Sequence, residues 1–180
     1  MLPLLLFYAS LVNNVRDLIS AHEFSMAEQQ VRAAKAQSGA TPEIAVAMSW
    51  LARGALDAKT YDKADSLAAE TRKMSDGLLM GRKLDADNYL PAAVGASIEV
   101  HGQVMAARGE RGEAILWLRE QAKVFAGTSI VERIRKNINL LNLEGKPAPA
   151  LEESEWLGAK PPSLASLHGR PVLLFFWAHW

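Results

Sequence analysis

The chain contains no cysteine, and that absence excludes, within its 180 residues, a disulfide framework, a thiolate metal site and a thiol nucleophile. It also lacks an excess of charge of either sign. Twenty basic and twenty acidic residues give a formal net charge of zero, so no long-range field draws the protein toward a nucleic-acid backbone. The histidines His22, His101, His168 and His179 stand far apart, and none belongs to a His-Glu-x-x-His or similar ligand spacing. No catalytic, cofactor-binding or metal-ligating residue is assigned on this basis, and no cofactor is expected. Long apolar runs are missing too. The N-terminal Met1-Leu-Pro-Leu-Leu-Leu-Phe-Tyr-Ala-Ser-Leu-Val12 falls short of the about 20 apolar residues that a membrane-spanning helix needs. It has no basic residue before Arg16, and Ala9-Ser10-Leu11 is a weak cleavage site. Residues 1–12 therefore read either as a remnant signal or anchor or as an apolar first helix, and membrane association is expected only through them.

What is present is enough apolar material for a core: 49% of residues are hydrophobic against 22% charged, which argues against global disorder. Residues 13–142 are rich in Ala, Leu, Glu, Gln, Lys and Arg, the residues that lose least side-chain freedom in a helix. Ser25 with Glu28 and Ser129 with Glu132 fit the capping-box spacing. Thr41 before Pro42 is a third predicted helix start. Gly39, Gly109, Gly127 and Gly145 are predicted stops or turns. In the last helix Ile130, Ile134, Ile138 and Leu141 share one face, with Arg133, Arg135 and Lys136 predicted to be solvated. Trp50 and Trp117 sit in apolar helical stretches that favour core positions over exposed anchors for a partner.

Three predicted helix-turn-helix junctions read Glu23-Phe-Ser-Met-Ala27, Thr60-Tyr-Asp-Lys-Ala64 and Glu110-Arg-Gly-Glu-Ala114. Each places alanine early in the second helix, where a small residue lets paired helices approach. Leu18, then Leu51 and Ala55, then Gly102 and Met105 precede these alanines. The segments resemble tetratricopeptide repeats. The alanines are 37 and 50 residues apart, against about 34 in that family, so the second interval holds an insertion containing Gly77, Gly81 and Pro91. The resemblance implies a helical array whose free face binds peptides or proteins.

After Leu143 the composition changes. Gly145, Pro147, Pro149, Pro161 and Pro162 are incompatible with a continued helix, which sets a boundary between 142 and 143. Ser163 is placed to cap a short helix over residues 164–167, ended by Gly169. Residues 171–177, Pro-Val-Leu-Leu-Phe-Phe-Trp, form an apolar run suited to a buried strand. Such a run must dock on the helices, pair with residues 151–157, or expose an open edge.

The order Gly145-Lys-Pro-Ala-Pro149, Trp156-Leu-Gly158, Ser163-Leu-Ala-Ser-Leu-His-Gly169 and Val172-Leu-Leu-Phe-Phe-Trp-Ala-His-Trp180 resembles the start of periplasmic and membrane-associated thioredoxin-like thiol-disulfide oxidoreductases, relatives of the alkyl hydroperoxide reductase and thiol-specific antioxidant family. The resemblance implies a Cys-x-x-Cys directly after this pattern. Trp177, Ala178, His179 and Trp180 would then rim the redox site, the tryptophans serving alternatively as an apolar cover on the sheet. The expected fold is mainly α: a tetratricopeptide-like helical array (13–142) followed by an incomplete start of an α/β thioredoxin fold (143–180). The expected function is that of the N-terminal fragment of an exported thiol-disulfide oxidoreductase, itself without the cysteines of catalysis. Its helical part would engage protein or peptide partners, and the parent would act on protein disulfides or thiols. The alternatives are a non-enzymatic interaction module and a fragment of a peroxiredoxin-type protein. The resemblance also implies a periplasmic or otherwise extracytoplasmic location, with anchoring through residues 1–12.

Overall fold

A computed structural model describes residues 10–143, 145–148, 150–151 and 155–175. The fold is mainly α. The helices are α1 (Leu11–Ser20), α2 (Phe24–Ser38), α3 (Pro42–Asp57), α4 (Tyr61–Leu79), α5 (Leu90–Ala107), α6 (Arg111–Val124) and α7 (Val131–Leu143). No strand occurs among the described residues. The chain divides into two compact units, Met1–Asn142 and Leu143–Trp180.

Within the first unit the helices pair as three hairpins, α1–α2, α3–α4 and α5–α6, and one hydrogen-bond pattern closes each of them. The N–H of Glu23 donates to Leu18 O at 2.8 Å, that of Thr60 to Ala55 O at 2.9 Å, and that of Glu110 to Met105 O at 3.0 Å. One residue earlier the N–H of His22, Lys59 and Gly109 donates to Ile19, Leu56 and Ala106 O. These two bonds satisfy the last carbonyls of the first helix and require a left-handed residue between the helices. His22, Lys59 and Gly109 supply it, with φ of 62°, 57° and 92°. Only the third turn uses the residue that takes this conformation without steric cost. The second helix starts at once, and Ala27, Ala64 and Ala114 inside it are fully buried.

The tight turns displace one predicted cap. Glu23, not Ser25, is the residue at the α2 N-cap, and no side chain bonds there. Glu28 instead receives Lys63 from α4 at 2.7 Å. Thr41 does cap α3, its Oγ1 accepting from Ile44 N at 3.2 Å with Pro42 in the first turn. Gly39 ends α2 with φ of 72°.

The longer second interval is occupied by an extended α4 and a loop. Met80 and Gly81 turn the chain with positive φ. Leu84–Ala86 forms one turn of 3-10 helix. Asp87 Oδ1 then accepts from the N–H groups of Tyr89 and Leu90 at 2.8 and 2.9 Å, starting α5 just before Pro91. The same loop overturns the second predicted capping box. Asp85 accepts from Ser129 through both its N–H and its hydroxyl, so Ser129 ties the α6–α7 loop to the insertion, and α7 begins at Val131.

The core runs through α3 and α5, whose buried side chains include Met48, Leu51, Leu90, Val94, Ile98, Val100 and Val104. Glycine permits two close crossings. A Cβ on Gly54 would stand 2.8 Å from Ile19 Cδ1, and one on Gly102 would stand 3.1 Å from Leu118. Buried hydroxyls are satisfied locally: Thr71, Ser75, Ser49 and Ser97 each donate to a carbonyl of their own helix at 2.7–2.8 Å.

In the second unit Ser163 caps a 3-10 helix, Leu164–Leu167, accepting from Ser166 N at 3.3 Å. Gly169 follows with φ of 80°. The strand expected over 171–177 is absent from its described part. Residues 171–175 are irregular, with Leu173 and Phe175 exposed. Nor do the described residues of 151–157 form a strand beside them. An apolar run becomes a strand only where a neighbouring strand takes its backbone N–H and C=O groups in a ladder, and the described residues form no such ladder.

Candidate partner-binding face

The first helix of each hairpin packs on the first helix of the next, so α1, α3 and α5 lie side by side, with α7 joined to α5 through side chains. A row of charged and aromatic side chains crosses them. Arg16 on α1 stands over the Trp50 ring at 5.7 Å from its centroid, and Arg53, one turn along α3, stands over the same ring at 4.9 Å. Arg53 Nη2 then lies 3.7 Å from Glu99 Oε2 on α5. That oxygen accepts a 2.7 Å hydrogen bond from Nε of Arg133 on α7.

The positions follow from the repeat. Arg16, Arg53 and Gln103 each stand six residues before the left-handed residue of their hairpin, so the three turns hold the three polar side chains in register. Gln103 continues the row by donating from Nε2 to Asn137 Oδ1 at 3.0 Å. Asn137 in turn donates to Arg133 O at 3.0 Å. Thus α7 docks on α5 through Ile130 and Ile134, both buried, and through a polar seam of Arg133–Glu99 and Asn137–Gln103. Arg133, expected on the solvated side, is instead pinned between the helices, while Arg135 is exposed and pairs with Glu132. Ile138 and Leu141 complete the apolar stripe, partly buried against the core.

Arg53 is the exception in this seam. Its side chain is only 22% exposed, yet its Nε is a buried donor with no acceptor among the described residues. Burial lowers its pKa below the ordinary arginine value, against the pull of Glu99 and Asp57. Trp50, half-buried, covers one face of the guanidinium and gives it a cation–π contact but no hydrogen bond.

A second polar cluster lies between α4, α5 and α6. His101 Nδ1 is 2.6 Å from Asp65 Oδ1, and Trp117 meets the imidazole edge-on with ring centroids 4.6 Å apart. Arg108 reaches both Asp65, at 3.4 Å, and Asp62. The adjoining groove, about 130 Å³, is lined by Ala68, Ile98, Trp117 and Arg72. Its one hydroxyl, on Ser97, already donates to Val94 O. The histidine–carboxylate pair ties α4 to α5.

The sequence-predicted rim residues Trp177, Ala178, His179 and Trp180 lie outside the described residues. His22 occupies the first turn, and His168 follows the 3-10 helix of the second unit. That unit holds a cleft of about 520 Å³ lined by Pro147, Leu151, Pro161, Leu164 and His168. Among the described residues no group of His, Asp and Glu is arranged to hold a metal ion, and no helix is long and apolar enough to cross a membrane. Comparison with protein-family models, with curated proteins and with solved structures finds no match.

Sequence reasoning did not single out Arg16, Arg53 or Glu99. The signal was available: aligning the hairpins on their turns puts Arg16, Arg53 and Gln103 at one position. The junction alanines Ala27, Ala64 and Ala114 carry the same register, each eleven residues after its polar residue.

Proposed function

We propose that the helical unit is a tetratricopeptide-like scaffold that binds a peptide or protein partner along the face of α1, α3, α5 and α7. The observation that carries this reading is the repetition of one turn, with the same two hydrogen bonds and the same left-handed residue, in three successive hairpins. Repeated hairpins stack first helix on first helix and leave a continuous row of side chains, which suits an extended chain better than a small substrate. Panning a peptide library against the full chain tests the proposal. Convergent sequences that bind the folded protein are expected, and failure to enrich any would contradict it.

The pattern of residues 143–180 supports a second element of the proposal: the helical scaffold serves an exported thiol-disulfide oxidoreductase and presents protein thiols or disulfides to a thioredoxin-like domain. In such a domain a helix N-terminus beside the strand end lowers a cysteine pKa and makes its thiolate the attacking group. The intact reading frame around and beyond Trp180 decides this: it should encode Cys-x-x-Cys, and a frame without it removes the redox role. Extracytoplasmic placement belongs to the same proposal, and fractionation of the producing cell tests it.

A further inference from the structure

The row on α1, α3, α5 and α7 contains more cations than its acids can hold. Glu99 is the carboxylate within ion-pair reach of Arg53, and Arg133 already holds the oxygen that faces it. Arg16 makes no ion pair among the described residues and is exposed. Two guanidiniums therefore stand over one indole, and neither makes a side-chain hydrogen bond to a described residue. Arginine presents its donors as a rigid planar fork that matches a carboxylate with two parallel bonds. The Arg53 guanidinium lies over Trp50 with Glu99 at 3.7 Å and no hydrogen bond to a described residue holds it, so a rotation of the side chain would bring its buried, unpaired Nε–H edge toward an incoming acid. Arg16, on the neighbouring helix, stands over the same ring.

We propose that Arg53 and Arg16, both over the Trp50 ring, are the docking point for a carboxylate side chain of an acidic peptide segment of the partner. This rests on the scaffold reading above and names the chemistry of its ligand. The acid would satisfy the donor that the fold leaves unpaired, and the half-buried indole would cover the methylene groups next to that acid. Binding of this kind is charge-assisted, partly desolvated and salt-sensitive.

The test uses the full chain and two blocked, fluorescein-labelled peptides, one of repeated Glu-Ala-Leu triplets and one of repeated Gln-Ala-Leu triplets, read by anisotropy. The Glu peptide should bind about tenfold or more tighter than the Gln peptide. Arg53→Gln and Arg16→Gln should each remove most of that difference. Arg16 is exposed, so its replacement leaves folding intact and separates lost binding from lost structure. Arg135→Gln, which removes the same charge elsewhere on the surface, should leave the difference unchanged. Equal affinity for the two peptides, or a preference that survives both Arg53→Gln and Arg16→Gln, overturns the inference. If library-selected peptides still bind in that case, the scaffold function stands without it. If no peptide of any composition binds, both fall.

Discussion

Arg133 reaches from α7 to α5 and takes the carboxylate of Glu99, its Nε donating to Oε2 at 2.7 Å. Arg53, 3.7 Å from the same oxygen, is left with the weaker share. One acid thus serves two bases, and the two arginines have different consequences for stability. Arg133→Met leaves Glu99, 24% exposed, with only the 3.7 Å contact of Arg53 and loosens α7, a loss of about 1–3 kcal/mol. Arg53→Met removes a buried unpaired donor, leaves Glu99 paired, and keeps an apolar stem on Trp50. Stability should hold or rise by up to about 1 kcal/mol. Urea unfolding of both variants checks the contrast, and a clear destabilisation by Arg53→Met would show that Arg53 is structural.

The glycines of α3 and α4 should respond in opposite ways to the same substitution. At Gly54 a new Cβ would meet Ile19 at 2.8–2.9 Å, so the gain in helix propensity is outweighed by displacement of α1, a net loss of about 1 kcal/mol. Gly77 has nothing within 4 Å of the position, and Gly77→Ala should stabilise by about 0.5–1 kcal/mol. Thermal melts that rank Gly54→Ala above the parent would refute the close crossing of α1 and α3.

The helices were legible in composition and in one strong cap, Thr41–Pro42, and the three junction alanines marked the hairpins. The predicted starts at Ser25 and Ser129 went astray because a side chain can be claimed from far along the chain: Lys63 takes Glu28, and Asp85 takes Ser129. The expected strand fails for a related reason. Apolar β-favouring residues such as Val172 and Leu174 express a preference that only a ladder partner realises. The proposed binding face was hidden because its residues are neither adjacent nor of one type, and only the register of the junctions aligns Arg16 with Arg53.

Acid should weaken the tie between α2 and α4. Burial opposes ionisation of Glu70, but hydrogen bonds from Arg32 and Lys35, both 2.7 Å from Oε1, outweigh it and hold its pKa below the ordinary carboxylate value. A folded-state pKa below the unfolded one means that the unfolded chain binds the proton more tightly. The stabilisation is therefore present above the unfolded value, about pH 4.3, and is lost as pH falls through the folded one. Because the partners are partly exposed, at 30% for Glu70 and 43% for Arg32, the effect should stay below about 1 kcal/mol. Glu70→Gln should flatten this acid limb of the stability profile; an unchanged limb would place the titration elsewhere.

The placement of the partner on the face of α1, α3, α5 and α7 is tested most directly by the tryptophan indole signals of the full chain in a proton–nitrogen correlation spectrum, followed as a library-selected peptide is added. Trp50 lies in that face and Trp117 lies in the α4–α6 groove beside His101. The account predicts that the Trp50 indole signal, assigned with Trp50→Phe, shifts with saturating peptide while that of Trp117 stays in place. A shift of Trp117 with Trp50 unmoved would contradict it.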